Sequence, residues 1–311
     1  MPSIQTPNPR PQTLATRRLY CLGDSHAGLF SGRDVPQPQW PTPARDWLPG
    51  FRTFRIGIAL AHNLCETGHT SRGRENLLAA LDSGAIPEGA ALLLCLGEID
   101  CRAHLLRQAR LQNRPAEEVA CTAAERYFSV VRELQARGYR VLVWNAIPSS
   151  PLDRIDDKEF PAEGDCQQRN IVTRVFNSRL AELCQAHGAA FISIFDQLVD
   201  ATGRSRRRYY RPDLIHLSQR ALPLALAEVK RHLPDLDITR PLTYRLYASA
   251  PALWARHVWW HFSRRAGRLY RRTRYRLFGP WGAHRSLPAP PLPNPQPGAP
   301  TAARHAQTLH L

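Results

Sequence analysis

Three short segments carry residues whose types and spacing could act together on an electrophile. Ser25 stands in Gly23-Asp24-Ser25-His26, directly after an apolar run, and Asp213 and His216 stand in Asp213-Leu214-Ile215-His216. A serine hydroxyl is a poor nucleophile until a base takes its proton, and that base must be held in one tautomer by a third group. His216 supplies the imidazole. Asp213, three residues earlier, can lie on the same side of one turn and bind the other ring nitrogen. Gly23 lets the chain turn sharply, and if a helix follows, amides near Ser25 point at the site and favour a developing oxyanion. The third segment, Gly97-Glu98-Ile99-Asp100-Cys101-Arg102, brings two carboxylates and a guanidinium to the end of another apolar run. The chemistry this set offers is nucleophilic acyl transfer, which calls for no metal and no cofactor.

Such residues must be positioned by regular elements, and the apolar pattern supplies them. Leu19–Leu22, Ala90–Leu96, Val141–Ile147 and Ala189–Phe195 read as strands. Between them, Leu77–Leu81 reads as helical with Ser71 as its cap. Pro115, Glu117 and Glu118 open a helix that runs toward Arg137 and stops at Gly138. Residues 166 to 187 form a helix closed by Gly188. Ser218 is expected to cap a last helix, in which Leu222, Ala225, Leu226 and Val229 recur at helical spacing. Strands that are apolar throughout, alternating with helices, mean a parallel sheet covered on both faces. In such sheets the ligand crevice lies outside the carboxyl ends of the strands, where the Ser25 and Glu98 segments fall.

Gly-Asp-Ser near the N-terminus, Gly-x-x-Asp in mid-chain and Asp-x-x-His toward the end resemble, in that order, the blocks of the SGNH (GDSL-type) hydrolases. The resemblance spans about Arg18 to Leu233. It implies an α/β fold, a flavodoxin-like three-layer α/β/α sandwich with a central parallel sheet. It also implies Ser25 as nucleophile, Asp213 and His216 as its partners, and the amides of Ser25 and of Gly57, in Ile56-Gly57-Ile58, as oxyanion donors. The family's third block is Gly-x-Asn-Asp, whose Asn side chain also donates to the oxyanion. Here Ile99 stands in that place, and Ile cannot donate. Loss of one oxyanion donor costs about 10²–10³ in rate, roughly 3–4 kcal/mol. Arg102, Asn63 and Asn145 are the candidates to replace it, and the Gly-Glu-Ile-Asp-x-Arg run is similar to a variant block of bacterial SGNH-like proteins. Glu98 and Asp100 are expected to be structural, and His26 to point away from the nucleophile. Tyr209 and Tyr210 are expected to pack more than to line the crevice. The resemblance implies a serine-dependent ester hydrolase acting on a small-molecule, carbohydrate or glycolipid ester. O-acyl transfer to a glycan by the same residues is one alternative; a catalytically silent binding protein of this fold, motivated by Ile99, is another.

Asp24-x-His26 also resembles the first metal motif of calcineurin-like metallophosphoesterases. Their Gly-Asn-His-(Asp/Glu) segment is absent, and the one Gly-His, Gly68-His69, comes too early. His257 and His261 share a helix face at the spacing of a metal pair, but they lie where no carboxylate can join them and Arg charges repel a cation.

Charge separates the chain into parts. Its 311 residues hold 42 basic and 26 acidic side chains, a net +16, and 40 of the 42 are Arg. Arg240 to Leu311 contains 12 Arg and no acid, so the first 239 residues carry only +4. Four parts are expected: a Pro-rich disordered leader at 1–17, the hydrolase-like domain at 18–235, an Arg- and aromatic-rich extension at 236–285, and a Pro-rich disordered tail at 286–311. Within 240–285, ten aromatic residues stand among 11 Arg. A helical stripe from Trp254 continues through Val258, Phe262 and Leu269 but takes in Arg265 and Arg276. Association with an anionic membrane surface is the expectation, with nucleic acid less favoured and a solvated Arg-rich tail as the bland reading. No apolar run reaches 18 residues, the first residues lack the apolar stretch of a secretory signal, and seven Cys include no Cys-x-x-Cys. A reducing cytoplasmic setting is expected, with the protein peripheral at the inner membrane face.

Overall fold

The computed structural model describes residues 18–155 and 160–278; the leader at 1–17 and the tail at 286–311 lie outside the described residues. The four apolar runs and one further strand form one parallel sheet of β1 (Leu19–Gly23), β2 (Phe51–Arg55), β3 (Ala91–Cys95), β4 (Arg140–Trp144) and β5 (Ala190–Ile192), in the order β2-β1-β3-β4-β5. Successive side chains of a strand point to opposite faces, and each face here is apolar. Leu22, Leu92, Leu94, Val141 and Val143 enter one core, while Leu19, Cys21, Leu93, Leu142 and Trp144 enter the other. The first core is roofed by α1 (Gly73–Asp82), α2 (Leu105–Gln112), α3 (Ala116–Ala136) and α4 (Cys166–Ala186). The second is roofed by a 3₁₀ helix at Ser25–Ser31, by the short α5 (Phe195–Leu198) and by α6 (Leu222–His232). The result is a flavodoxin-like three-layer α/β/α sandwich.

The structure departs from the sequence reading in several places, each with a local cause. β2 escaped the apolar pattern because two of its five residues are Arg. It is the edge strand, with β1 as its strand neighbour and Gln39 bridging Arg55 on the outer side, and Arg52 and Arg55 stay half-buried and donate to the carbonyls of Phe51 and Gln37. The last expected strand is only Ala190–Ile192, and the chain turns into α5 by Phe195. Ser71 does not cap α1; Arg72 takes the N-cap position in the left-handed region at φ 50°. Ser218 does not cap α6 either. Its carbonyl accepts the Ala221 amide in a turn before the helix, and Ala221 holds the N-cap position without a side-chain bond.

The expected extension also divides differently. The compact unit that contains the sheet runs to Ser249. It includes α7 (Leu242–Tyr247), whose Tyr244 is buried in the second core and whose Tyr247 hydroxyl accepts the Asp34 amide at 2.8 Å. A separate unit begins at Ala250 with α8 (Ala250–Phe278). No helix among the described residues is long and apolar enough to cross a membrane.

Candidate active site

Ser25 is positioned by the end of β1. A Cβ on Gly23 would stand 2.0 Å from the Cys95 carbonyl oxygen, so only glycine allows β1 and β3 to end side by side here. Asp24 then caps the 3₁₀ helix, its Oδ1 accepting the His26 amide at 2.8 Å. Ser25 is the first residue of that helix, where backbone N–H groups have no intrahelical acceptor.

His216 arrives on a tight hairpin before α6. Tyr210 and Leu217 form an antiparallel bridge, and the Arg211 amide donates to the His216 carbonyl at 2.8 Å. Between them Leu214 adopts φ 60°, a costly left-handed conformation for a residue with a bulky side chain. Asp213 Oδ1 accepts the amides of Ile215 and His216 at 2.9 and 3.0 Å, which folds the turn back on itself. Asp213 Oδ2 is thereby 3.1 Å from His216 Nδ1, and His216 Nε2 is 2.8 Å from Ser25 Oγ. Burial pushes the Asp213 carboxyl up, but hydrogen bonds from the His216 ring and the two amides outweigh it and hold the group well below the usual carboxylate range. For His216, burial and the charge of His26 outweigh Asp213 and lower the pKa. A neutral imidazole with one nitrogen on a carboxylate and the other on a hydroxyl can act as a general base toward that hydroxyl.

A second histidine lies against the first. The His26 ring stacks on His216 with centroids 4.8 Å apart and planes at 28°. His26 points away from Ser25 chemistry, as expected, with Nε2 at 2.9 Å from Glu98 Oε2, while Arg102 Nε donates to Glu98 Oε1 at 2.7 Å. All three side chains are buried. Burial raises the Glu98 pKa, yet Arg102 and His26 overcome it and bring it to about 2. Burial lowers that of His26, yet Glu98 and Asp24 raise it above the ordinary value. Asp24 is pushed up to about 6 by burial. Its Oδ2 has no hydrogen-bond partner among the described residues, and the gap it shares with His26, Glu98 and Asn145 is too tight to admit a water molecule. The Asp24–His26 pair is thus spent on a helix cap and on Glu98.

The residues considered as oxyanion donors fall in different surroundings. Gly57 follows β2 at φ 102°, a region that favours glycine, and the adjoining Ile56 amide donates to the Gly23 carbonyl at 2.8 Å. Gly57 therefore sits beside the turn that presents Ser25. Arg102 is engaged with Glu98, its guanidinium carbon 6.0 Å from the Phe160 ring centroid. Asn145 clamps two strand ends, donating to the Ala146 carbonyl at 2.8 Å and accepting the Ile194 amide at 3.1 Å. Asn63 is buried in a short 3₁₀ turn, Ala61–Asn63. That turn is held by Asp100, which accepts the amides of Ala61 and His62 at 2.8 and 3.1 Å and lies 2.6 Å from His62 Nδ1. Ile99 is buried. Tyr210 packs, its hydroxyl donating to the Pro148 carbonyl at 2.5 Å, and Tyr209 is half-buried. What the sequence reading missed is the His26–Glu98–Arg102 chain. Its one available signal was the spacing of Glu98 and Arg102, four residues apart at the start of a helical segment.

No protein-family model matches the chain, and no curated protein does. Several solved structures are similar to it. A GDSL-like lipase from Bacteroides thetaiotaomicron is 12% identical at a TM-score of 0.43, over 70% of this chain and 88% of that one. A phospholipase A1 from Streptomyces albidoflavus is 15% identical at a TM-score of 0.38, over 71% and 98%. The OSK domain of Drosophila Oskar is 11% identical at a TM-score of 0.41, over 68% and 86%.

Proposed function

We propose that this protein is a serine-dependent acyl-ester hydrolase of SGNH type, acting on an ester of a carbohydrate or glycolipid. One observation carries the reading: the unbroken chain from Asp213 Oδ2 through His216 to Ser25 Oγ, with separations of 3.1 and 2.8 Å. Ser25 Oγ attacks the acyl carbonyl carbon as His216 Nε2 takes its proton. The carbonyl π electrons move to oxygen, and that oxyanion accepts hydrogen bonds from the amides of Ser25 and Gly57. Collapse breaks the ester C–O bond, and the leaving alcohol takes the proton back from His216. Water, deprotonated by His216, then attacks the acyl-enzyme and releases the acid and free Ser25. A sugar hydroxyl in place of that water would make the same residues an O-acyltransferase.

Ile99 leaves the amides of Ser25 and Gly57 as donors where the resembled family has three; Arg102 and Asn145 are engaged elsewhere, and the buried Asn63 is the remaining candidate for the third. Without a third donor, turnover is expected about 10²–10³-fold below that of a three-donor site. The test is hydrolysis of p-nitrophenyl acetate together with covalent labelling by a fluorophosphonate probe. The parent protein should label and hydrolyse, and Ser25→Ala should do neither. Labelling of the parent no greater than that of Ser25→Ala overturns the hydrolase reading in favour of a silent binding protein.

A further inference from the structure

Outside the sheet domain, the feature that the ester chemistry leaves unused is α8. From Ala250 to Phe278 it contains eight Arg and no Asp or Glu, so no intrahelical ion pair offsets the charge. Its first turns nevertheless expose large apolar side chains: Trp254 is 65% exposed, Val258 45%, Trp259 67% and Phe262 62%. At about 100° per residue these four lie within an arc of roughly 140°, with Arg256 and Arg264 on the opposite side and Arg265 at its C-terminal edge, where the apolar stretch gives way to the Arg-rich one. Trp260, also off the arc, is covered by the Arg264 guanidinium at 4.5 Å from the ring centroid. The charge concentrates further along the same helix, where seven of the 13 residues from Arg264 to Arg276 are Arg.

An exposed apolar arc and a block of Arg with no acidic residue in its own helix make two demands. The arc needs an apolar medium, and the Arg block needs anions close by. The helix is too polar to span a bilayer, but the two demands are met together in the plane of a bilayer surface. There indole rings sit at headgroup level and guanidinium groups reach lipid phosphates. Nucleic acid would answer the charge. It would not answer a contiguous arc that includes Val258, since its contacts to such proteins are ring stacking and phosphate pairing. We infer that α8 is an in-plane membrane helix that docks the protein on an anionic lipid surface, with Trp254, Val258, Trp259 and Phe262 inserted and the Arg block over the phosphates.

The full-length protein should co-sediment with phosphatidylglycerol-containing vesicles and not with pure phosphatidylcholine vesicles, with a blue shift of tryptophan emission. Trp254→Ala, Trp259→Ala and Phe262→Ala together should weaken that binding at least about tenfold, because the inserted apolar area is lost. The thermal transition of the sheet domain in the same variant should match the parent's, which separates lost docking from lost folding. Equal binding to both vesicle types, no binding at low salt, or vesicle binding unchanged in the triple variant overturns the proposal. So does preferential capture by a single-stranded oligonucleotide that the triple variant retains, which would transfer the helix to nucleic acid.

Discussion

Two histidine–carboxylate pairs lie face to face in this molecule, and they differ in what stands at their far ends. His216 and Asp213 sit on a partly exposed hairpin, and the second nitrogen of His216 meets a serine hydroxyl at 2.8 Å. His26 and Glu98 are sealed from solvent, and the chain continues to a buried Arg102. Each pairs a histidine with a carboxylate, Asp213 in one and Glu98 in the other, and the hydrogen-bond lengths of 3.1 and 2.9 Å are close. Access separates them: the second nitrogen of His216 faces a hydroxyl at a part-exposed position, whereas the second nitrogen of His26 is buried with no hydrogen-bond partner among the described residues and its carboxylate is tied to Arg102. The buried pair is a brace but not idle, since its histidine stacks on the base and its charge helps to lower the pKa of His216.

The comparison can be broken at the base first. Asp213→Asn keeps the shape of the turn but offers His216 the wrong tautomer, and kcat on p-nitrophenyl acetate should fall about 10⁴-fold. A fall of less than tenfold would remove Asp213 from the reaction. The brace should respond differently. Glu98→Gln leaves the charges of His26 and Arg102 without their buried counter-ion, which should lower the unfolding free energy in urea by about 3 kcal/mol. The rate per folded molecule should change far less than in Asp213→Asn; the reverse ranking would make Glu98 part of the chemistry. The smallest effect tests the contact between the pairs. His216 must be neutral to accept a proton, and its pKa lies below the ordinary 6.5, so kcat/KM should hold its plateau below pH 6.5 and fall only in more acid solution. His26→Phe keeps a stacked ring but removes the neighbouring charge, so the pKa of His216 should rise and the acid limb should move to higher pH. A limb unmoved or moved to lower pH would show that His26 does not tune the base.

Much of the site was legible because its parts are local. Asp213 and His216 are held together by hydrogen bonds over three residues, and Gly23 and Asp24 shape the turn that carries Ser25 within two. The sheet was legible wherever both faces of a strand are apolar, as in Leu92–Leu94, and illegible at β2, where an edge position tolerates Arg. Spacing offered the Glu98–Arg102 pair, four residues apart, but not the link from it to His26 nor the partner of Asn145, because those are settled by packing. Arg102 meets His26 only through Glu98, across 72 positions of chain, and Asn145 meets Ile194 across 49. α7 was placed with the basic extension on composition, yet Tyr247 meets Asp34 across 213 positions and belongs to the body.

The sequence by itself determined the residue types, the apolar periodicity and the charge division at about Arg240, since each of these is a property of neighbours along the chain. The motifs named His216 as the partner of Ser25; tertiary structure alone decided the contact itself and gave His26 to Glu98. Ser25 and His216 are 191 positions apart, and their 2.8 Å contact exists because the order β2-β1-β3-β4-β5 brings the end of β1 beneath the hairpin that precedes α6. A hydrogen bond of that length is set by the packing of whole layers, and no local preference along the chain encodes it.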